Sequence, residues 1–216
     1  MTTTFNMAWY KTATNEELKL AEKAEKFEAD YFEDMTFRPG TPLHDDFISE
    51  PFLDSKGFEV EGGVDINFLE ISIISYCFKA SQLRKSEGWC NGKKRIITIS
   101  TKKLEDDSTL LHEMIHAYEN ILLRKDYFYL RLTLRDLLTH FLFRNLSNKI
   151  KNLNDVIHEF IHLRPYDDKT RDGGFHSLLF LLKSLDLDFR LAIKPGTVFG
   201  YGLDNFIILK DTGEEI

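Results

Sequence analysis

Residues 95–124 read RIITISTKKLEDDSTLLHEMIHAYENILLR. The run Arg95–Ser100 is rich in β-branched residues and predicts a short strand. From about Glu105 to Arg124, Leu110, Leu111, Met114, Ile115, Tyr118, Ile121 and Leu122 recur at helical spacing. That spacing predicts an amphipathic helix with a broad apolar face. Within it lies HEMIH, His112 to His116. Two histidines four apart on a helix project from one face, a single turn apart. Imidazoles placed that way can share one zinc ion. Glu113 then lies beside the ion, where a carboxylate can take a proton from a zinc-bound water as it attacks a carbonyl. Zinc needs a third protein ligand and keeps its fourth position for water.

A second copy of the pattern, HEFIH, spans His158 to His162. Either copy could hold the metal, or both could contribute. Context favours the first. Arg164 and Pro165 follow the second copy at once and end its helix. The first copy continues for two further turns and follows a β-branched strand. On this reading His158 and His162 line a polar helix edge.

Outward from this stretch, residues from about Asn15 to Met35 read as a helix, with Thr14 and Glu17 at capping-box spacing. Residues 36–63 are rich in proline and glycine and read mostly as loop. Ile66–Phe78 reads as a strand or strand pair. Further helices are predicted over about Tyr127–Leu146, Leu153–Leu163 and Phe175–Leu185, with a loop over 166–174. Phe189–Leu209 reads as one or two strands or extended loops. These elements make an α+β fold in a single domain, 1–216.

The composition excludes some classes. With 43% hydrophobic residues and 18 Phe, the chain has material for a core, so a wholly disordered reading fails. The net charge of −7 does not point to a nucleic-acid partner. Most of that acidity lies in residues 1–70, which hold 16 acidic and 6 basic residues. The local basic stretch Lys79–Lys103, with Arg84, Lys85, Lys93, Lys94 and Arg95, reads as a solvated loop or as a surface that touches a polyanion. Cys77 and Cys90 are too few for a disulfide framework and are expected as free thiols. No run suits a signal peptide or a transmembrane helix, so the expected location is cytoplasmic, without a membrane partner.

The stretch Gly88–Asn120, GWCNGKKRIITISTKKLEDDSTLLHEMIHAYEN, resembles the core of the SprT-like metallopeptidases, the group that includes Spartan. The resemblance rests on Trp89 and Cys90 in a turn, the strand Ile96–Ser100, and Leu110–Ala117. It implies a zincin-like fold: a small mixed sheet packed on the HExxH helix, with additional helices. It also implies a third histidine on a later helix, near glycine and followed by Phe. DGGFHSLLF, with Gly173, Gly174 and Phe180, supplies His176. The chain departs from the family in three ways. Two further helices fill the gap from His116 to His176, so 119–165 reads as a helical insertion. Ser177 stands where the family often has Gly. No cysteine-rich zinc module follows. Asp136, Glu119, Glu159 and His140 are fallback ligands. A metzincin is excluded, since no Gly and third His follow His116 at short spacing.

In zincins an edge strand above the metal pairs with an extended peptide. Ile96, Ile97, Thr98, Ile99 and Ser100 are the candidates for that role. Tyr118, Tyr166 and Tyr201 are candidates for stabilising an oxyanion. The expected function is that of a zinc metallopeptidase acting on protein or peptide substrates, with Glu113 as general base and zinc held by His112, His116 and His176. DNA enters as a partner by family analogy alone, and a nuclear location with it if the source is eukaryotic. The rival expectation is a metal-stabilised, non-catalytic or latent binding module. A helical protein with a chance motif would hold no stoichiometric zinc.

Overall fold

Thr14 opens the first helix, α1 (Asn15–Tyr31), with the expected capping box. Its hydroxyl accepts from the Glu17 N–H, and the Glu17 carboxylate accepts from the Thr14 N–H at 2.9 Å. Leu20, Ala21, Ala24 and Phe27 bury one face of α1. The helix ends at Tyr31, short of the expected Met35, and Phe32 caps it. The structure, a computed structural model, describes residues 8–35, 52–53, 59–60, 72–84, 86–122, 128–163 and 176–210. For 52–53, 59–60, 74, 128–133 and 161–163 it describes the backbone alone.

By its internal contacts the chain divides into two compact units, Met1–Asp136 and Leu137–Ile216. The first unit is mixed α+β. In the segment read as loop, β1 (Phe52–Leu53) and β2 (Glu59–Val60) form an antiparallel pair. A three-stranded sheet follows, made of β3 (Cys77–Ser81), β4 (Gly88–Asn91) and β5 (Ile96–Ser100), in the order β3-β5-β4. β5 pairs parallel with β3 and antiparallel with β4.

This topology corrects two expectations. Of the strand or strand pair expected over Ile66–Phe78, the described residues show strand only from Cys77. Ile73–Ser75 forms a 3-10 turn, and 66–71 lie outside the described residues. The second correction concerns the site. Ile96, Ile97, Thr98, Ile99 and Ser100 form the central strand, with Ile97 opposite both Phe78 and Cys90. Their backbone N–H and C=O groups are spent on two neighbours, so this strand has no edge to offer a peptide. Ile97 and Ile99, two apart on one face of the sheet, are fully buried, while Ile96 and Thr98 on the other face are half-buried.

The second helix of this unit, α2 (Asp107–Leu122), packs on β4, β5 and α1. Asp106, just before it, accepts from the Ser108 N–H at 3.1 Å and from the Thr109 hydroxyl at 3.1 Å, which satisfies donors at the helix start. Leu110, Leu111, Met114, Ile115 and Leu122 are buried as the spacing predicts. Tyr118 is fully buried too, stacked on Phe32 at 4.9 Å. Its hydroxyl donates to Glu28, whose carboxylate also accepts from Ser72 Oγ at 3.0 Å and the Ile73 N–H at 2.8 Å. A phenol committed in this way inside the core cannot serve an oxyanion, which removes Tyr118 from the candidates.

The unit division falls within α3 (Phe128–Ser147), where Leu134, Leu138, Leu142 and Leu146 are buried at four-residue intervals. The second unit continues with α4 (Leu153–Leu163), which buries Leu153, Val156 and Phe160. Then comes α5 (Leu178–Arg190), capped by the Ser177 hydroxyl, which accepts from the Phe180 N–H at 3.2 Å. It begins later and runs further than the expected Phe175–Leu185. The tail is not a strand pair. It turns through Gly196, Gly200 and Gly202, with φ of 95°, 77° and 74°, into a 3-10 turn at Leu203–Asn205. Only an isolated bridge of Leu209 to Ile150 is strand-like there. Among the described residues, no helix is long and apolar enough to cross a membrane.

Candidate metal centre

α2 places His112 and His116 on one face, with ring centroids 5.0 Å apart. Both are half-buried, and Glu113 between them is 6% exposed. Burial pushes the Glu113 carboxyl up to about 7, while His116 pulls it back. Glu119 Oε2 lies 3.8 Å from His116 Nδ1, where a carboxylate can orient the ring. Asn120 Nδ2 donates to the His116 carbonyl at 2.9 Å and approaches Cys90 Sγ at 3.8 Å. Burial, with Glu113 adding to it, pushes the Cys90 thiol up to about 12, so it is protonated at neutral pH. Both cysteines are free thiols, Cys77 buried and Cys90 half-buried.

The sequence reading missed Gly88 as a residue of this site. A Cβ there would lie 2.6 Å from both Cγ and Oε1 of Glu113. Strand β4 thus passes against the carboxylate with no room for a side chain. The signal was present in GWCN, but a lone glycine beside a turn gives no sign of what it faces. Gly88→Ala forces Glu113 aside while touching neither histidine. For the hydrolase expected from the sequence, the outcome is about a tenfold to hundredfold loss of rate with metal content unchanged. Metal analysis beside an activity assay checks it.

His176 lies just before α5 and is 9% exposed. Aromatic rings surround it: Phe180 at 4.3 Å, Phe199 at 5.1 Å and Tyr201 at 5.5 Å between centroids. Asp188 holds the loop that brings two of them there. This carboxylate is fully buried and accepts from the Gly196 N–H at 2.6 Å and the Val198 N–H at 2.9 Å. Tyr201 then stands at the loop tip with φ of 55°, between two positive-φ glycines. The left-handed region costs a non-glycine residue roughly 1 kcal/mol.

Burial pushes Asp188 up to about 7, against the Val198, Gly196 and Thr197 N–H groups that pull it down. Between its unfolded value of about 4 and this value, the folded chain holds a proton that the unfolded chain does not. The stability Asp188 contributes is therefore fullest below about pH 4, falls as pH rises, and levels off above about 7. Urea unfolding of wild type and Asp188→Asn, taken from about pH 5 to about pH 8, checks the sign. Wild type should lose about 2 kcal/mol relative to the non-titrating variant across that range. A difference independent of pH would contradict it.

One ligand atom from each of His112, His116 and His176 lies within 4.8 Å of the other two. Tetrahedral zinc with Zn–N bonds near 2.0 Å holds its nitrogens about 3.3 Å apart. The donor chemistry, three imidazoles with an adjacent carboxylate, suits a catalytic ion with an open position. Among the described residues, no other group of this kind occurs. His158 and Glu159 are exposed on α4, and Asp136 and His140 are exposed on α3. The side chain of His162 and all of Tyr166 lie outside the described residues. Within the basic stretch, Lys79, Arg84, Lys93 and Lys94 are exposed, as a solvated surface would be. No protein-family model, no curated protein and no solved structure matches this chain.

Proposed function

We propose that this chain is a zinc metallopeptidase of zincin-like design that hydrolyses peptide bonds. The observation that supports the reading is the convergence of His112, His116 and His176, with buried Glu113 between the first two. His112, His116 and His176 would hold the ion. Zinc, when bound, supplies a Lewis acid that polarises the scissile carbonyl and makes water a stronger acid.

The protein's own residues do the rest. Glu113 takes a proton from the attacking water as its oxygen bonds to the carbonyl carbon. The same carboxyl then delivers that proton to the amide nitrogen as the C–N bond breaks, giving a carboxylic acid and an amine. A carboxyl buried next to the ligand histidines is placed for both halves of that exchange. Glu119 sets a carboxylate 3.8 Å from His116 Nδ1, one side-chain adjustment away from a hydrogen bond to that ring. Strand β4, which among the described residues pairs only with β5 and passes against Glu113, is the edge on which an extended peptide would add as a further strand.

The test is casein hydrolysis by the purified chain carrying stoichiometric zinc, with Glu113→Gln as control. Activity that vanishes with the carboxylate supports the reading. A zinc-replete wild type that cleaves nothing sinks it.

A further inference from the structure

In an antiparallel pair, opposite residues alternate between those that exchange hydrogen bonds and those whose N–H and C=O groups point away. Ser100 N–H donates to the Glu87 carbonyl at 2.8 Å, which fixes that alternation for β4 and β5. The bonded pairs are then Trp89 with Thr98 and Asn91 with Ile96. Gly88 and Cys90 turn their N–H and C=O groups outward, to the side of β4 that among the described residues no strand takes. Side chains alternate as well. Gly88 and Cys90 face α2: a Cβ on Gly88 would meet Glu113, and Cys90 Sγ lies 3.8 Å from Asn120 Nδ2. Trp89 faces the other way, in register with Thr98 and, beyond it, with Lys79. Its side chain is 43% exposed. An exposed indole by itself marks nothing. This one stands beside the outward backbone groups of Gly88 and Cys90, on the strand that passes against Glu113.

We infer that Trp89 is a specificity-determining residue: its indole packs on one side chain of a peptide added to β4 and selects a large apolar one. This rests on the peptidase reading above, which puts an extended peptide on that strand. Such a peptide bonds to the outward groups of Gly88 and Cys90. Added antiparallel, its residue between those two bonded pairs lies opposite Trp89 in the non-bonded arrangement. There the Cα atoms are about 4.5 Å apart and the side chains meet most closely. The peptide's neighbouring side chains point to the α2 side and do not meet the indole. Because Gly88 lies against Glu113, the residue facing Trp89 stands close to the bond that is cut. The indole points away from Glu113, so it chooses the substrate without entering the chemistry.

The test compares Phe with Ala at each successive position of one extended host peptide, using zinc-replete protein. Binding is read by calorimetry on Glu113→Gln, which holds the peptide uncut, with and without Trp89→Ala. Cleavage is read as kcat/KM on chains that keep Glu113. The expected result is one position at which Phe improves both affinity and kcat/KM about tenfold over Ala, its neighbours being indifferent. Trp89→Ala brings that ratio to about one, and Trp89→Phe restores most of it. Each ratio is taken within one variant, so a loss of folded protein does not imitate the effect. The inference is overturned if the preference persists without the indole, or if no position prefers Phe. When cleavage accompanies either of those results, the peptidase reading stands and the role of Trp89 falls. When nothing is cut but the binding preference still depends on Trp89, the peptidase reading falls and the indole keeps its role in binding.

Discussion

Glu113→Gln is expected to bind zinc as wild type does and to hydrolyse casein at least about a thousandfold more slowly. A positioned general base contributes roughly 10²–10⁴ in rate, and here the same carboxyl is asked both to accept a proton and to return it. Glutamine preserves the shape that fits against Gly88, where space is tight, so the variant should fold. It removes the acceptor for the proton of the attacking water. Because Glu113 is not among the three grouped histidines, metal content should not change. An active Glu113→Gln would remove Glu113 from the chemistry. Loss of zinc in the variant would instead place the carboxylate among the ligands. Metal analysis and the rate together separate these outcomes.

His176→Ala is expected to lose zinc, and His158→Ala to keep it. This contrast has the second largest expected effect, because two histidines alone leave the ion with more water than protein around it. Structural and catalytic zinc sites alike draw on three or more protein ligands. His158 sits in a sequence as suggestive as that around His112, yet it is exposed on α4, and among the described residues it joins no group of ligands. Equilibrium dialysis against zinc at about neutral pH reads the difference directly. His176→Ala should weaken binding by about two orders of magnitude or more, with His158→Ala indistinguishable from wild type. The reverse pattern would move the centre to the second motif.

The local parts of this protein were readable from its sequence. The capping box at Thr14 and Glu17, the buried face of α2 and the shared face of His112 and His116 all follow from spacing within one helix. Contacts across the chain were not readable in this way. GWCN becomes a strand because β5 pairs with it, and nothing within four residues says so. The same pairing turned Ile96–Ser100 from an expected edge into the centre of the sheet. Ile73–Ser75 carries strand-like residues but closes into a turn, with Tyr76 N–H donating to the Ile73 carbonyl at 2.8 Å. The apolar tail left strands or extended loops open, and Gly196, Gly200 and Gly202, all at positive φ, turn it into loops. His176 was reached by resemblance alone, since no spacing rule links residues so far apart. The roles of Gly88 and Asp188 depend on what faces them, which only the fold reveals.

The central claim is that three imidazoles from this chain grip one zinc ion. The X-ray absorption spectrum at the zinc edge, recorded on protein purified without chelator, tests it most directly. The account predicts one zinc per chain, bound by three imidazole nitrogens and one further light atom at about 2.0 Å, with no sulfur near 2.3 Å. A chain with no zinc edge, or one whose zinc shows a sulfur neighbour, would contradict it.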